Sequence, residues 1–215
     1  MPANMGRISA PQWVAATTLG LAAGVGLALV LGAPIQAVVG VMLVTPILTS
    51  LVGGVLGLSQ SFPLRQHLAK PWTWIVASSI GCGLGLAIGV VVVENGGRLL
   101  AGHAVNVVRL GPAERALSFA IVGLLTGALL GLCQAVVLRR QETGVRRWAL
   151  RTAFALGAAF SGSSLLVDLL VGGIGSAAGV ASFAVAAGVI LGVLTARPLA
   201  AHCLTGPLPA TTPKR

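Results

Sequence analysis

Apolar residues fall along this chain in six long runs separated by short polar gaps. The runs are Trp13–Gly32, Ala37–Gln60, Trp72–Val93, Ala116–Leu138, Trp148–Leu170 and Ser176–Ala196. Each is long enough for an α-helix to cross roughly 30 Å of hydrocarbon, which takes about 20 residues. Strands are excluded. The runs lack barrel alternation, and a lone span must satisfy its own backbone hydrogen bonds. The pattern predicts an all-α integral membrane bundle of six transmembrane helices, a single domain over residues 1–215.

Composition removes the alternatives. Charged residues make up 8% of the chain and hydrophobic ones 56%, against about 25% charged in a soluble domain. Too few polar side chains exist to cover a water-soluble globule, and the apolar excess excludes disorder. The net charge of +10 does not point to nucleic acid, because the cations sit in gaps between spans rather than on a polar face.

Those cations orient the helices. Arg7, the Arg65/Lys70 gap, the Arg139/Arg140/Arg146/Arg147/Arg151 gap and the tail with Arg197, Lys214 and Arg215 fall on one side, 11 of the 14. Arg98, Arg109 and Arg115 fall on the other. The positive-inside bias places both termini and the tail 197–215 in the cytoplasm of a multi-pass protein, expected in a bacterial inner (plasma) membrane. Arg7 before an apolar run imitates a signal peptide, but no small-residue cleavage site follows and the run belongs to a repeat. Cys82, Cys133 and Cys203 form no C-x-x-C pair and read as small core-like thiols.

The repeat is threefold. Gly53-x3-Gly57-x2-Gln60-x3-Leu64-Arg65 recurs as Gly127-x3-Gly131-x2-Gln134-x3-Leu138-Arg139, and in worn form as Gly188-x3-Gly192-x2-Thr195-x3-Leu199-Ala200. A tryptophan opens a span before each copy: Trp13, Trp74 and Trp148. Trp13 to Gln60 and Trp148 to Thr195 are both 47 positions, and Trp74 to Gln134 is 60. The 13 extra residues of the middle unit fit a long outer loop over about 94–114. Four positions after each tryptophan stands a hydroxyl: Thr17, Ser78, Thr152. Seven after come Gly20, Gly81 and Ala155, and eleven after come Gly24, Gly85 and Ala159. Offsets 0, 4, 7 and 11 make one helical stripe.

Each unit holds two spans, so every copy enters the membrane with the same polarity. Repeats 13–60, 74–134 and 148–195 are therefore expected as helical hairpins about a pseudo-threefold axis along the membrane normal, unlike inverted repeats. In lipid, small residues let backbones approach and polar side chains link neighbours. Gln60 and Gln134 are expected to bond hydroxyls or backbones of adjacent tryptophan helices. The tryptophans are expected to form an interfacial belt, with Arg65 and Arg139 as anchors beside it.

A few residues are candidates for more than packing. Asp168 is the one carboxylate inside an apolar run, and intramembrane acids are functional candidates by default. It stands 20 residues after Trp148, as Glu94 stands 20 after Trp74, so both belong near the outer surface. An outer pair or cap with Arg98, Arg109 or His103 is preferred over a proton relay. Pro46 falls mid-span and frees the carbonyl of Met42, which the Thr45 hydroxyl is placed to compensate; a kink there is a weak hint of a pocket. The apolar outer loop Arg98–Arg109 is the large departure from repeat symmetry and ranks first as a place for specific function.

Catalysis and cofactors find little support. Ala159-Phe160-Ser161-Gly162 approaches the G-x-S-G of rhomboid-like intramembrane proteases, but the first glycine is missing and the last span offers no histidine base. Gly81-x-Gly83-x-Gly85 follows no strand and reads as a packing stripe, and there is no P-loop. His67 and His202 are cytoplasmic while His103 is external, so the three cannot share a metal. Neither an enzyme, a cofactor nor a metal is expected.

The recurring G-x-x-x-G-x-x-Q…L-R…W grammar resembles a loose group of uncharacterised bacterial multi-span membrane proteins. Gly53/Gly57/Gln60/Arg65/Trp74 and Gly127/Gly131/Gln134/Arg139/Trp148 carry the resemblance. It covers most of the chain, departs at Thr195 and Ala200, and implies a membrane-embedded fold without an activity. The expected function is a scaffold or accessory membrane subunit, with the bilayer, a protein partner or further copies of itself as partners. The alternative is a small-molecule transporter or the substrate-binding membrane subunit of one, which requires a polar cavity near Thr45, Ser78 or Ser161.

Overall fold

The computed structural model describes residues 9–39, 41–65, 68, 70–101, 110–138 and 145–202. It contains six α-helices: α1 Ala10–Val39, α2 Val41–Leu64, α3 Pro71–Ala101, α4 Pro112–Leu138, α5 Val145–Val171 and α6 Ala177–His202. All six are long and apolar enough to cross a membrane. The protein is thus a polytopic membrane protein by the length and composition of its helices.

Local chemistry sets the helix starts. Ser9 caps α1, its Oγ accepting the Gln12 N–H at 3.3 Å. Pro71 and Pro112 open α3 and α4, where a missing N–H costs nothing. Glu114 reaches back to accept the Gly111 N–H at 3.3 Å and favours the positive end of α4. Ser176 caps α6 by accepting the Gly179 N–H at 3.0 Å. Between α5 and α6 the chain turns through Gly172 (φ 74°) and Gly173 (φ 121°), conformations that side chains with a Cβ resist.

Several boundaries differ from the sequence expectation. The segment between the first two spans, expected as a break around Ala33–Gln36, is helical, since α1 runs to Val39 and α2 is described from Val41. Pro34 lies inside α1. A proline removes one helical hydrogen bond, whereas unwinding four residues in lipid would strand several polar groups. Glu94 and Arg98 belong to α3 rather than to a loop, and α6 runs past Arg197 to His202, shortening the expected tail. His67, His103, Arg109, Arg139, Cys203 and residues 203–215 lie outside the described residues.

Each helix packs antiparallel on its chain neighbours, and α6 packs back against α1. The six helices therefore close into a ring. Side chains fill its interior in two clusters. One joins Trp13, Leu64, Leu68, Trp74, Ala135, Trp148 and Ala196. The other joins Leu21, Leu56, Leu130, Ala155, Leu156, Ala159, Ala187 and Leu191. Outer faces are apolar too, with Leu19, Phe62, Ile80, Leu117, Phe154 and Val193 exposed on successive helices, as lipid contact requires.

Candidate functional site

The most elaborate arrangement is a girdle of aromatic and polar side chains near the first turns of α1, α3 and α5. Trp13, Trp74 and Trp148 are 1%, 0% and 9% exposed. The expected interfacial belt is thus corrected: these three point inward, and Trp72, 60% exposed, faces out. The rings of Trp74 and Trp148 meet at 6.3 Å and 53°, although α3 and α5 are not chain neighbours. Large flat rings reach across the ring of helices where aliphatic side chains would leave a void.

Burying an indole requires an acceptor for its N–H. Trp148 donates to Gln134 Oε1 at 3.2 Å, and Trp13 donates to Thr195 Oγ1 at 2.8 Å. The amide nitrogens face the other way. Gln134 Nε2 donates to Ser78 Oγ at 3.0 Å, and Gln60 Nε2 donates to Thr17 Oγ1 at 3.3 Å. Gln60 and Gln134 therefore bond hydroxyls of neighbouring tryptophan helices, as their spacing suggests. Thr195 has no amide arm. Its hydroxyl donates to Leu191 O at 2.7 Å, and that of Thr152 turns back to Trp148 O at 2.9 Å.

The glycines explain how helices come this close. A Cβ on Gly127 would lie 2.5 Å from Thr152 O and 2.7 Å from Ala153 Cα, and one on Gly131 would lie 2.7 Å from Ala149 Cα. Gly53 and Gly57 meet α3 in the same way, at Ser78, Cys82 and Ile75, and Gly188 and Gly192 meet α1 at Thr18 and Val14. Gly57, Gly131 and Gly192 each face the residue directly after a tryptophan. On the other faces of α1 and α3, Gly20 meets Leu56 and Gly81 meets Leu130, each four residues before a glutamine.

At the opposite end, the Arg115 guanidinium pairs with Asp168, with side chains 12% and 13% exposed. Arg115 Nη2 also donates to Leu110 O at 2.7 Å. The pair ties the start of α4 to the end of α5, beside the Gly173 turn. Asp168 thus has a cationic partner at its own end of the bundle, and that partner is Arg115 rather than Arg98; Arg109 and His103 lie outside the described residues. Arg115 is on the opposite helix at matching depth, which helix spacing alone does not reveal. Glu94 shares the repeat offset of Asp168 yet is exposed on α3, so the structure does not bring the two together.

Near this end, Phe119 and Phe183 meet at 5.1 Å and Phe160 and Phe183 at 5.5 Å. These three hold unrelated repeat offsets, so no periodicity could have grouped them. At Pro46, the hydroxyl the structure places on the backbone is that of Thr49, donating to Thr45 O at 2.9 Å and Pro46 O at 3.2 Å. Thr45 is exposed, Ser161 half-buried and Ser78 fully buried on Gln134.

The described residues show packing, hydrogen bonding and one ion pair. Among the described residues, no cluster of three metal-ligating side chains occurs, and Cys82 and Cys133 are free thiols. A lateral apolar groove of about 710 Å³ runs between α1 and α6, lined by residues such as Val14, Thr18, Leu19 and Val193. No protein family, curated protein or solved structure matches the chain.

Proposed function

We propose that this protein is a membrane scaffold or accessory membrane subunit, a rigid bundle of three two-helix hairpins about a pseudo-threefold axis, with both termini cytoplasmic. One observation carries the reading. The interior that a transport path would need is occupied by Trp13, Trp74 and Trp148 and by the layer of Leu56, Leu130 and Leu191 behind them.

The cyclic contacts support the repeat. Gly57–Ile75, Gly131–Ala149 and Gly192–Val14 are equivalent, and they run from one hairpin to the next until the third returns to the first. The side carrying most cations supports the orientation. A packed centre with tight glycine seams suits a protein whose outward faces engage other membrane chains, whether a partner or further copies of itself.

Native mass spectrometry of the detergent-purified protein tests the reading, paired with flux assays in proteoliposomes. A stoichiometric protein complex, hetero- or homo-oligomeric, is the expected result. Saturable flux of a small solute through the reconstituted chain alone would replace the scaffold with a transporter.

A further inference from the structure

Two of the three tryptophan seams close with a direct hydrogen bond, and the third does not. Among the described residues, Trp74 Nε1 is buried without a partner, and so is Gln60 Oε1. One is a donor and the other an acceptor, so each needs what the other offers.

Their surroundings match the seam that is closed. At the α4–α5 seam, Gly131 lies against Ala149, and Gln134 sends Nε2 to Ser78 and receives Trp148 on Oε1. At the α2–α3 seam, Gly57 lies against Ile75, and Gln60 sends Nε2 to Thr17. That bond leaves Gln60 Oε1 on the far side of the amide, as in Gln134. The contacts differ in one detail: a Cβ on Gly57 would meet Ser78 Cβ at 2.8 Å and Ile75 Cα at 3.0 Å, whereas one on Gly131 would meet Ala149 Cα first, at 2.7 Å, so branched Ile75 stands where the closed seam has a methyl.

A buried donor and a buried acceptor left unsatisfied each lose their hydration without replacement. An occupant that accepts from an indole and donates to an amide oxygen removes both penalties. Buried water does this where polar partners and room coincide. We propose that one ordered water bridges Trp74 Nε1 and Gln60 Oε1, making the seam between the first two hairpins a wet joint while the other two are dry. The inference rests on the repeat reading only for the equivalence of the tryptophan positions, not on the scaffold role.

Radiolytic hydroxyl-radical footprinting of the intact protein tests it, because X-rays make radicals from water in place and label the side chain it touches. Trp74 is expected to label several-fold faster than Trp13, although neither is open to bulk solvent. In Gln60→Leu the Trp74 rate is expected to fall to that of Trp13. If that variant does not fold, the wild-type comparison decides by itself. Trp74 protected as well as Trp13, or a high-resolution map with Trp74 Nε1 bonded directly to Gln60 Oε1, overturns the proposal. A failed scaffold reading would instead show as solute flux, which these labelling rates do not report.

Discussion

Trp148 and Gln134 stand 14 positions apart, on opposite sides of a basic gap, and the indole N–H of the first rests 3.2 Å from the amide oxygen of the second. The same amide donates to Ser78 on a third helix. One side chain thus ties α3, α4 and α5 together. One of its two bonds satisfies the indole N–H of a tryptophan turned inward at this level.

Gln134→Leu is expected to lower stability by about 1–3 kcal/mol, because it orphans a buried indole N–H and leaves Ser78 unpaired. Adding Trp148→Phe to Gln134→Leu removes the orphaned donor as well, so the double variant is expected to lose less of this hydrogen-bond term, near the roughly 0.6 kcal/mol average for interhelical bonds in membranes. Thermal or SDS unfolding in detergent, followed by intrinsic fluorescence, checks the order. Equal stability of Gln134→Leu and wild type would contradict it.

Gly127→Val is expected to force α4 from α5, since even its Cβ collides with the Thr152 carbonyl. Overpacking of this kind costs about 1–3 kcal/mol. Gly26→Ala is the control, because a Cβ there meets nothing within 4 Å and alanine favours a helix by about 1 kcal/mol over glycine. Unfolding midpoints of the two variants should move in opposite directions.

Asp168→Asn is expected to weaken the α4–α5 tie by about 1.5–3 kcal/mol, the range for a hydrogen bond to a charged group. In Arg115→Leu the second substitution should add little, since the pair is already broken. A double-mutant cycle measured by unfolding gives the coupling. Strict additivity would mean that the two side chains do not act together.

Topology is testable by fusion. Green fluorescent protein after Arg215 is expected to fluoresce and alkaline phosphatase at the same point to be inactive, while phosphatase inserted in 102–109 should be active. The reverse pattern would invert the proposed orientation.

The sequence by itself determined six membrane-crossing helices and which residues share a face. Span length and helical period are local properties, so Gly53, Gly57 and Gln60 declare their stripe before any folding. Gln60 and Gln134 were legible as helix linkers because an amide in an apolar run needs a partner. Tertiary structure alone decided which way each tryptophan faced and which cation met Asp168. Trp13, turned inward, finds its acceptor in Thr195, 182 positions away, across the α1–α6 closure. Partners so distant in sequence become neighbours only when the ring of helices closes. Pro34 makes the same point on one helix: its sequence signal is a break, and the surrounding lipid makes continuing the helix less costly than ending it.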